Sequence, residues 1–244
     1  MSSPRPRRGR AARLNARAAT PSASLPALSE ERLTEMGLEP PEKKTGRILL
    51  IACGALAREI LDIKAANGLD HLDLTCLPAK LHLYPDQITE QVEIAVQRHS
   101  ATYDQIYVVY ADCGTGGLLE AKCRDLGVEM IPGPHCYSFF EGNDRFEKIT
   151  EAGEITAFYL TDFLVKQFDA FVWRPMGLDQ NPELRGMIFG NYTTLVYQSQ
   201  IEDPALMDKA RDCAARMGLA FEHRHTGYGD LEASLKHWSA SSFG

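Results

Sequence analysis

Three short segments of this sequence concentrate sulfur and imidazole: Ile51-Ala52-Cys53-Gly54, Ala111-Asp112-Cys113-Gly114 and Pro134-His135-Cys136. Thiolate and imidazole suit zinc, iron or another transition metal better than magnesium or calcium. Cys53, Cys113 and Cys136 would supply three thiolates, with His135 as a fourth ligand. A catalytic metal keeps one position open for water or substrate, so three ligands suit chemistry better than a closed set of four. Such an ion would act as a Lewis acid on a bound water, thiol or amine. Two other readings stay open beside this one. Cys113 could be a metal-free nucleophile activated by His135. All three thiols could equally be small apolar groups packed at strand ends. Neither a C-x-x-C nor an H-x-x-x-H spacing decides among them.

The segment after Cys113 adds a second chemistry. Gly114, Thr115, Gly116 and Gly117 join a predicted strand to a predicted helix. Glycines there free backbone N–H groups at a helix N-terminus, which can hold a phosphate or carboxylate. The same partial positive charge would lower the pKa of Cys113. The loop is not a Walker loop, since no Gly-Lys-Ser/Thr follows, and it lacks the full G-x-G-x-x-G pattern. A tight turn that needs glycine for positive φ explains it as well.

Positioning these groups on one edge requires a particular fold. Residues 47–54 form a short apolar run closed by glycine, which reads as a buried strand. A helix is expected over 55–67, ended by Gly68. Strands follow at 72–77, 105–110 and 128–131, with helices at 85–100 and 118–125 between them. This alternation implies parallel strands joined by crossovers. Beyond them, 155–175 reads as helix, 191–198 as strand, 204–217 as helix and 219–225 as the last strand. The expected class is α/β, a Rossmann-like doubly wound, mostly parallel sheet, either continuous or as two similar lobes over 47–150 and 151–235. Ligands of such sheets bind outside the carboxyl ends of the strands. Cys53, Cys113 and the His135–Cys136 pair all follow strand ends, so the topology would let them converge. Cys76, Cys123 and Cys213 fall inside elements and read as packing residues. His223 and His225 share one face of the last strand and read as solvent-facing on an edge.

Composition restricts the remainder. The chain has 244 residues, 44% hydrophobic and 24% charged, the profile of a globular domain. Six cysteines in this length are too few for a disulfide scaffold. No apolar stretch is long enough to span a bilayer, and no secretory core is present. These features predict a cytoplasmic protein with reduced thiols and no membrane partner. The net charge is −7; six arginines and no acid in residues 1–29 contribute +6, which leaves −13 on the body. An acidic body argues against a nucleic-acid partner. Residues 1–40 read as a disordered basic arm whose deletion should leave folding and metal content intact. A homo-oligomer is compatible with this charge.

The ordered set IACGAL, YADCGTGG, PGPHCYSFFEG, FYLTDFL and FGNYTTLVY resembles a prokaryotic domain-of-unknown-function family, DUF1638, over residues 47–235. The resemblance implies association with corrinoid-dependent methylamine methyltransferase systems and a role in one-carbon or methyl-group metabolism. The D-x-H-x-x-G signature of corrinoid carriers is absent, which speaks against the chain being a carrier. Together these readings give a metal-binding enzyme of the transferase, hydrolase or lyase class, acting on a small anionic or methylated substrate. Its metal would be zinc or iron. An accessory protein that holds a small ligand or a corrinoid for a methyltransferase is the reading from another class.

Overall fold

The first strand, β1 (Ile48–Cys53), is buried along its whole length, because it lies between two neighbours and under helices on both faces. The computed structural model describes residues 28–41, 48–151 and 156–241. β1 pairs in parallel with β2 (Leu72–Leu77) on one side and β3 (Gln105–Val109) on the other. β4 (Glu129–Met130) adds to β3, so the first sheet has the order β2-β1-β3-β4. The order reverses between β1 and β3. That reversal opens a crevice at the carboxyl edge, the usual ligand position in doubly wound sheets.

Helices α2 (Ala57–Asn67), α3 (Pro85–His99) and α4 (Leu118–Asp125) connect these strands. Each has its own stop signal: α2 ends on Gly68 in the left-handed conformation, and α4 runs into Gly127 at positive φ. A second sheet has the order β5-β6-β7 and is also parallel, built from β5 (Ala157–Thr161), β6 (Thr194–Ser199) and β7 (Ala220–His225). α7 (Asp162–Lys166) and α8 (Arg185–Phe189) lie between β5 and β6, and α9 (Pro204–Met217) joins β6 to β7. The α/β class with two parallel sheets is therefore as the sequence predicts.

Three stretches differ from the sequence-based expectation. Residues 155–175 are not one helix: 157–161 form β5, which pairs with β6 from Ala157↔Thr194 to Thr161↔Gln198. Helical spacing of the aromatics there is overridden by sheet pairing. Thr161 then caps α7 through its side chain, which accepts from the Leu164 N–H. Residues 136–151, to which the alternation of sequence signals assigns no element, form α5 (Cys136–Glu141) and α6 (Asn143–Glu151). The disordered arm also needs a new boundary. Residues 28–41 carry α1 (Glu30–Glu35), capped by Ser29, with Leu33 fully buried. Leu38 bridges to Cys76 at the edge of β2. Most of the arm, residues 1–27, lies outside the described residues.

The two sheets keep separate cores, but the chain crosses between them. Helix α10 (Gly229–Ser241) follows the second sheet, yet its Leu231, Leu235 and Trp238 belong to the core of the first. Trp238 stacks on Tyr107 of β3 with ring centroids 4.5 Å apart. Phe163 and Phe171 of the second half also enter that core. Helix α5 sits at the seam: its buried Glu141 accepts from the Gln198 side-chain amide of β6 at 3.1 Å.

Candidate functional site

Hydrogen bonds between two loops build the site. Past the end of β3, the Asp112 N–H donates to the Gly133 carbonyl at 3.0 Å, and the Cys113 N–H to the Pro134 carbonyl at 3.1 Å. This short zipper continues the β3–β4 pairing beyond the sheet. It places Cys113 against Cys136, the first residue of α5, with the two sulfurs 3.3 Å apart. Both are free thiols. Cys113 has φ +47°, the one non-glycine with positive φ among the described residues. A left-handed non-glycine costs of order ~1–3 kcal/mol and persists where surrounding contacts over-determine it. Here those contacts are the loop zipper and the sulfur pair.

Electrostatics separate the two thiols. The adjacent Cys136 sulfur is the main influence holding the Cys113 pKa well below its ordinary value of 9.0 despite burial. The His82 side chain faces the same cleft as Cys113 and adds to this lowering. Cys136 moves the opposite way, held protonated by its bond to Cys113 and by burial. Cys53, at the end of β1, is pushed up to about 12, by burial first and by the Cys113 charge second. Burial also lowers the pKa of His135, so its ring is neutral at pH 7. The arrangement favours the thiolate at Cys113 and the protonated thiol at Cys53 and Cys136, beside an imidazole whose neutral form burial favours.

Cys53, His82, Cys113, His135 and Cys136 line one small cleft of about 40 Å³. Thr161 and Phe163 close it from the second half of the chain, so the cleft lies where the two sheets meet. The expected ligands Cys53, Cys113, Cys136 and His135 are thus brought to one place. They do not close around a point: among the described residues, no group of three or more His, Cys, Asp or Glu is arranged to hold a metal ion. The Tyr110 hydroxyl is buried near the four thiols of Cys53, Cys76, Cys113 and Cys136, and its approach to Cys53 offsets part of the burial effect there.

The glycine loop holds an anion of its own. The Asp112 carboxylate accepts from the Gly117 N–H at 2.6 Å, the Gly116 N–H at 3.2 Å and the Thr115 hydroxyl at 2.8 Å. These bonds keep the Asp112 carboxyl below its ordinary pKa. Gly114, Gly116 and Gly117 all have positive φ. Where the sequence offered Gly114, Thr115, Gly116 and Gly117 as a cradle for a ligand anion, the structure fills that cradle from Asp112.

His82 is the residue that sequence reasoning passed over. It lies in the 3-10 turn Ala79–Leu83, just past the end of β2. The strand-end rule that singled out Cys53, Cys113 and His135 applies equally to β2 and would have found it. Cys76, Cys123 and Cys213 are buried inside elements, as expected of packing residues. His223 and His225 stand on exposed edge strand β7, and both reach the Ser199 side chain, at 2.9 Å and 3.0 Å. They are remote from the thiol cleft in its lining.

Among the described residues, no helix is long and apolar enough to cross a membrane. No curated protein and no solved structure matches this chain. One family profile does match, and its span takes in His82, Cys113, His135 and Cys136 while Cys53 lies just before it. The chain belongs to the DUF1638 family of proteins of unknown function, matched over residues 76–235.

Proposed function

We propose that the protein is an enzyme whose working group is the Cys113 thiolate, acting on a small electrophilic group in the crevice between the two sheets. The carrying observation is the 3.3 Å approach of the Cys136 sulfur to the Cys113 sulfur, in a cleft that His82 also lines. A thiolate is the reactive form of cysteine, and donors that stabilise it keep it populated at neutral pH. In attack, the sulfur forms a bond to carbon and the leaving group departs with the electrons of the bond it breaks. A cleft of about 40 Å³ has room for about three waters, at roughly 10–15 Å³ of such volume each. A group of a few heavy atoms, a methyl unit among them, fits beside the sulfur. Transfer of a small carbon group, one-carbon units included, is the reaction class to test first.

A second reading keeps zinc or iron, held by Cys53, Cys113 and Cys136 with His135 at the fourth position. The gathering of all four residues around one small cleft favours it. Two sulfurs each about 2.3 Å from zinc stand about 3.8 Å apart in a tetrahedral site. The Cys113–Cys136 pair would have to open by about half an ångström, and Cys53 would have to approach.

One experiment separates the two. Protein purified without chelator is assayed for metal and then treated with iodoacetamide at pH 7, with mass spectrometry locating the adducts. The thiolate reading expects no stoichiometric metal and alkylation of Cys113 at least tenfold faster than of Cys53 or Cys136, abolished in Cys113→Ser. About one equivalent of zinc or iron, lost in Cys113→Ser and Cys136→Ser, transfers the assignment to the metal. Uniformly slow thiols in a metal-free protein defeat both.

A further inference from the structure

A larger cavity of about 620 Å³ opens beside the thiol cleft, and His135 and Tyr137 line both. Its wall is aromatic. His135, Tyr137 and Tyr159 form a continuous stack, with centroid spacings of 4.7 Å and 5.2 Å. Phe146 meets both tyrosines edge-on, at 5.5 Å and 5.6 Å, and Tyr192 completes the wall. The stack is rigid because each ring braces the next, and it leads from the Cys113 cleft into the open cavity.

The charge on the lining has one sign. Asp144, Glu147 and Glu151 line the cavity from α6, and no lysine or arginine does. Residues i, i+3 and i+7 of a helix share a face, so these three carboxylates stand in a row along the same side. The remaining titratable groups are His135, held neutral by burial, and the tyrosines, of which Tyr137 is pushed well up by burial. An anion would meet three carboxylates here and no compensating donor cation. The glycine loop gives it no other home, since Asp112 occupies those amides.

We infer that this cavity is the subsite for the body of the substrate, and that it selects an organic cation, a protonated or quaternary ammonium. Aromatic faces attract such cations through the ring quadrupole, by about 0.5–2 kcal/mol each depending on desolvation. The carboxylates supply the long-range part, and the ring wall discriminates an alkylated cation from a hydrated metal ion. The inference rests on the proposed Cys113 centre only for its direction, with the reacting end of the ligand pointing past His135 to the sulfur. It narrows the expected small anionic or methylated substrate to one that carries positive charge.

Titration calorimetry with tetramethylammonium chloride, against sodium chloride and sodium acetate at matched ionic strength, tests this. The expected result is saturable binding of tetramethylammonium, with neither control competing. Binding should weaken at least tenfold in the triple variant Asp144→Asn, Glu147→Gln, Glu151→Gln. These side chains are solvent-exposed, so their replacement leaves the core intact. Tyr159→Leu should weaken it similarly, while Cys113→Ser should bind like the parent. Absence of saturable binding overturns the inference. So does equal binding of sodium or acetate, or binding indifferent to both the acid and the ring substitutions. Binding that behaves as expected in a protein whose Cys113 is unreactive keeps the cation subsite and removes the thiolate enzyme, so the two readings fail separately.

Discussion

Cys113 takes its properties from three neighbours rather than from its own position in a strand. Its amide is tied to Pro134, its sulfur lies against that of Cys136, and His82 lines the same cleft from the loop after β2. Residue-scale burial has a different consequence at Glu59 on α2. That carboxyl is buried and pushed up to about 8, chiefly by desolvation, with Lys166 offsetting part of the effect. A carboxyl raised in the folded state binds more protons than in the unfolded chain between its two pKa values. Stability therefore falls as pH rises from about 4.5 to about 8 and is flat above. A shift of this size is worth roughly 3–5 kcal/mol. Glu59→Gln should remove that slope: its melting temperature should exceed the parent's at pH 8.5 and match it near pH 4. Equal melting temperatures at both pH values would show that Glu59 is not desolvated in the folded protein.

At the scale of elements, α1 decides where the folded body begins. Gly54 packs so closely under it that an added Cβ would lie 2.6 Å from the Leu33 carbonyl oxygen. Leu33 fills the space above β1, and Glu30 makes an ion pair with Arg58 of α2. Replacing a fully buried leucine with alanine costs about 2–5 kcal/mol. Leu33→Ala should lower stability by this amount in urea unfolding. Deletion of residues 1–27 should leave the unfolding midpoint unchanged, whereas deletion of 1–40 should lower it. Equal midpoints for the two deletions would mean that α1 contributes nothing to the body. The wider deletion is the one that composition alone presents as harmless.

Across the whole molecule, the two sheets are not independent units. Helix α10 returns from the end of the second sheet to the core of the first, where the Trp238 indole N–H donates to the Glu129 carboxylate of β4. Truncation after residue 228 would expose the Leu231, Leu235 and Trp238 contacts of that core. The fragment 28–150, lacking α10, should give no cooperative thermal transition, and adding a peptide of residues 229–241 should partly restore one. A sharp transition for the fragment alone would show that the first sheet folds without its returning helix. The thiol cleft depends on the same arrangement, since Thr161 and Phe163 reach it from the second half.

The alternation of apolar runs with amphipathic stretches determined the parallel α/β class, because period and stop signals are local properties of a chain. Strand 72–77 and helices 118–125 and 204–217 are found where those signals put them. The strand-end rule likewise places Cys53, Cys113, His135 and Cys136 on one edge from the sequence alone. Tertiary structure decided the rest. The period of residues 157–161 suits a helix, and only the presence of β6 beside them makes a strand. Helix α10 and the docking of α1 depend on surfaces far away in sequence. That Cys113 and Cys136 meet at 3.3 Å depends on the folding together of residues 23 apart. The glycine loop could have held any anion, and folding gave it Asp112. Each of these depends on non-local proximity, which composition and spacing do not encode.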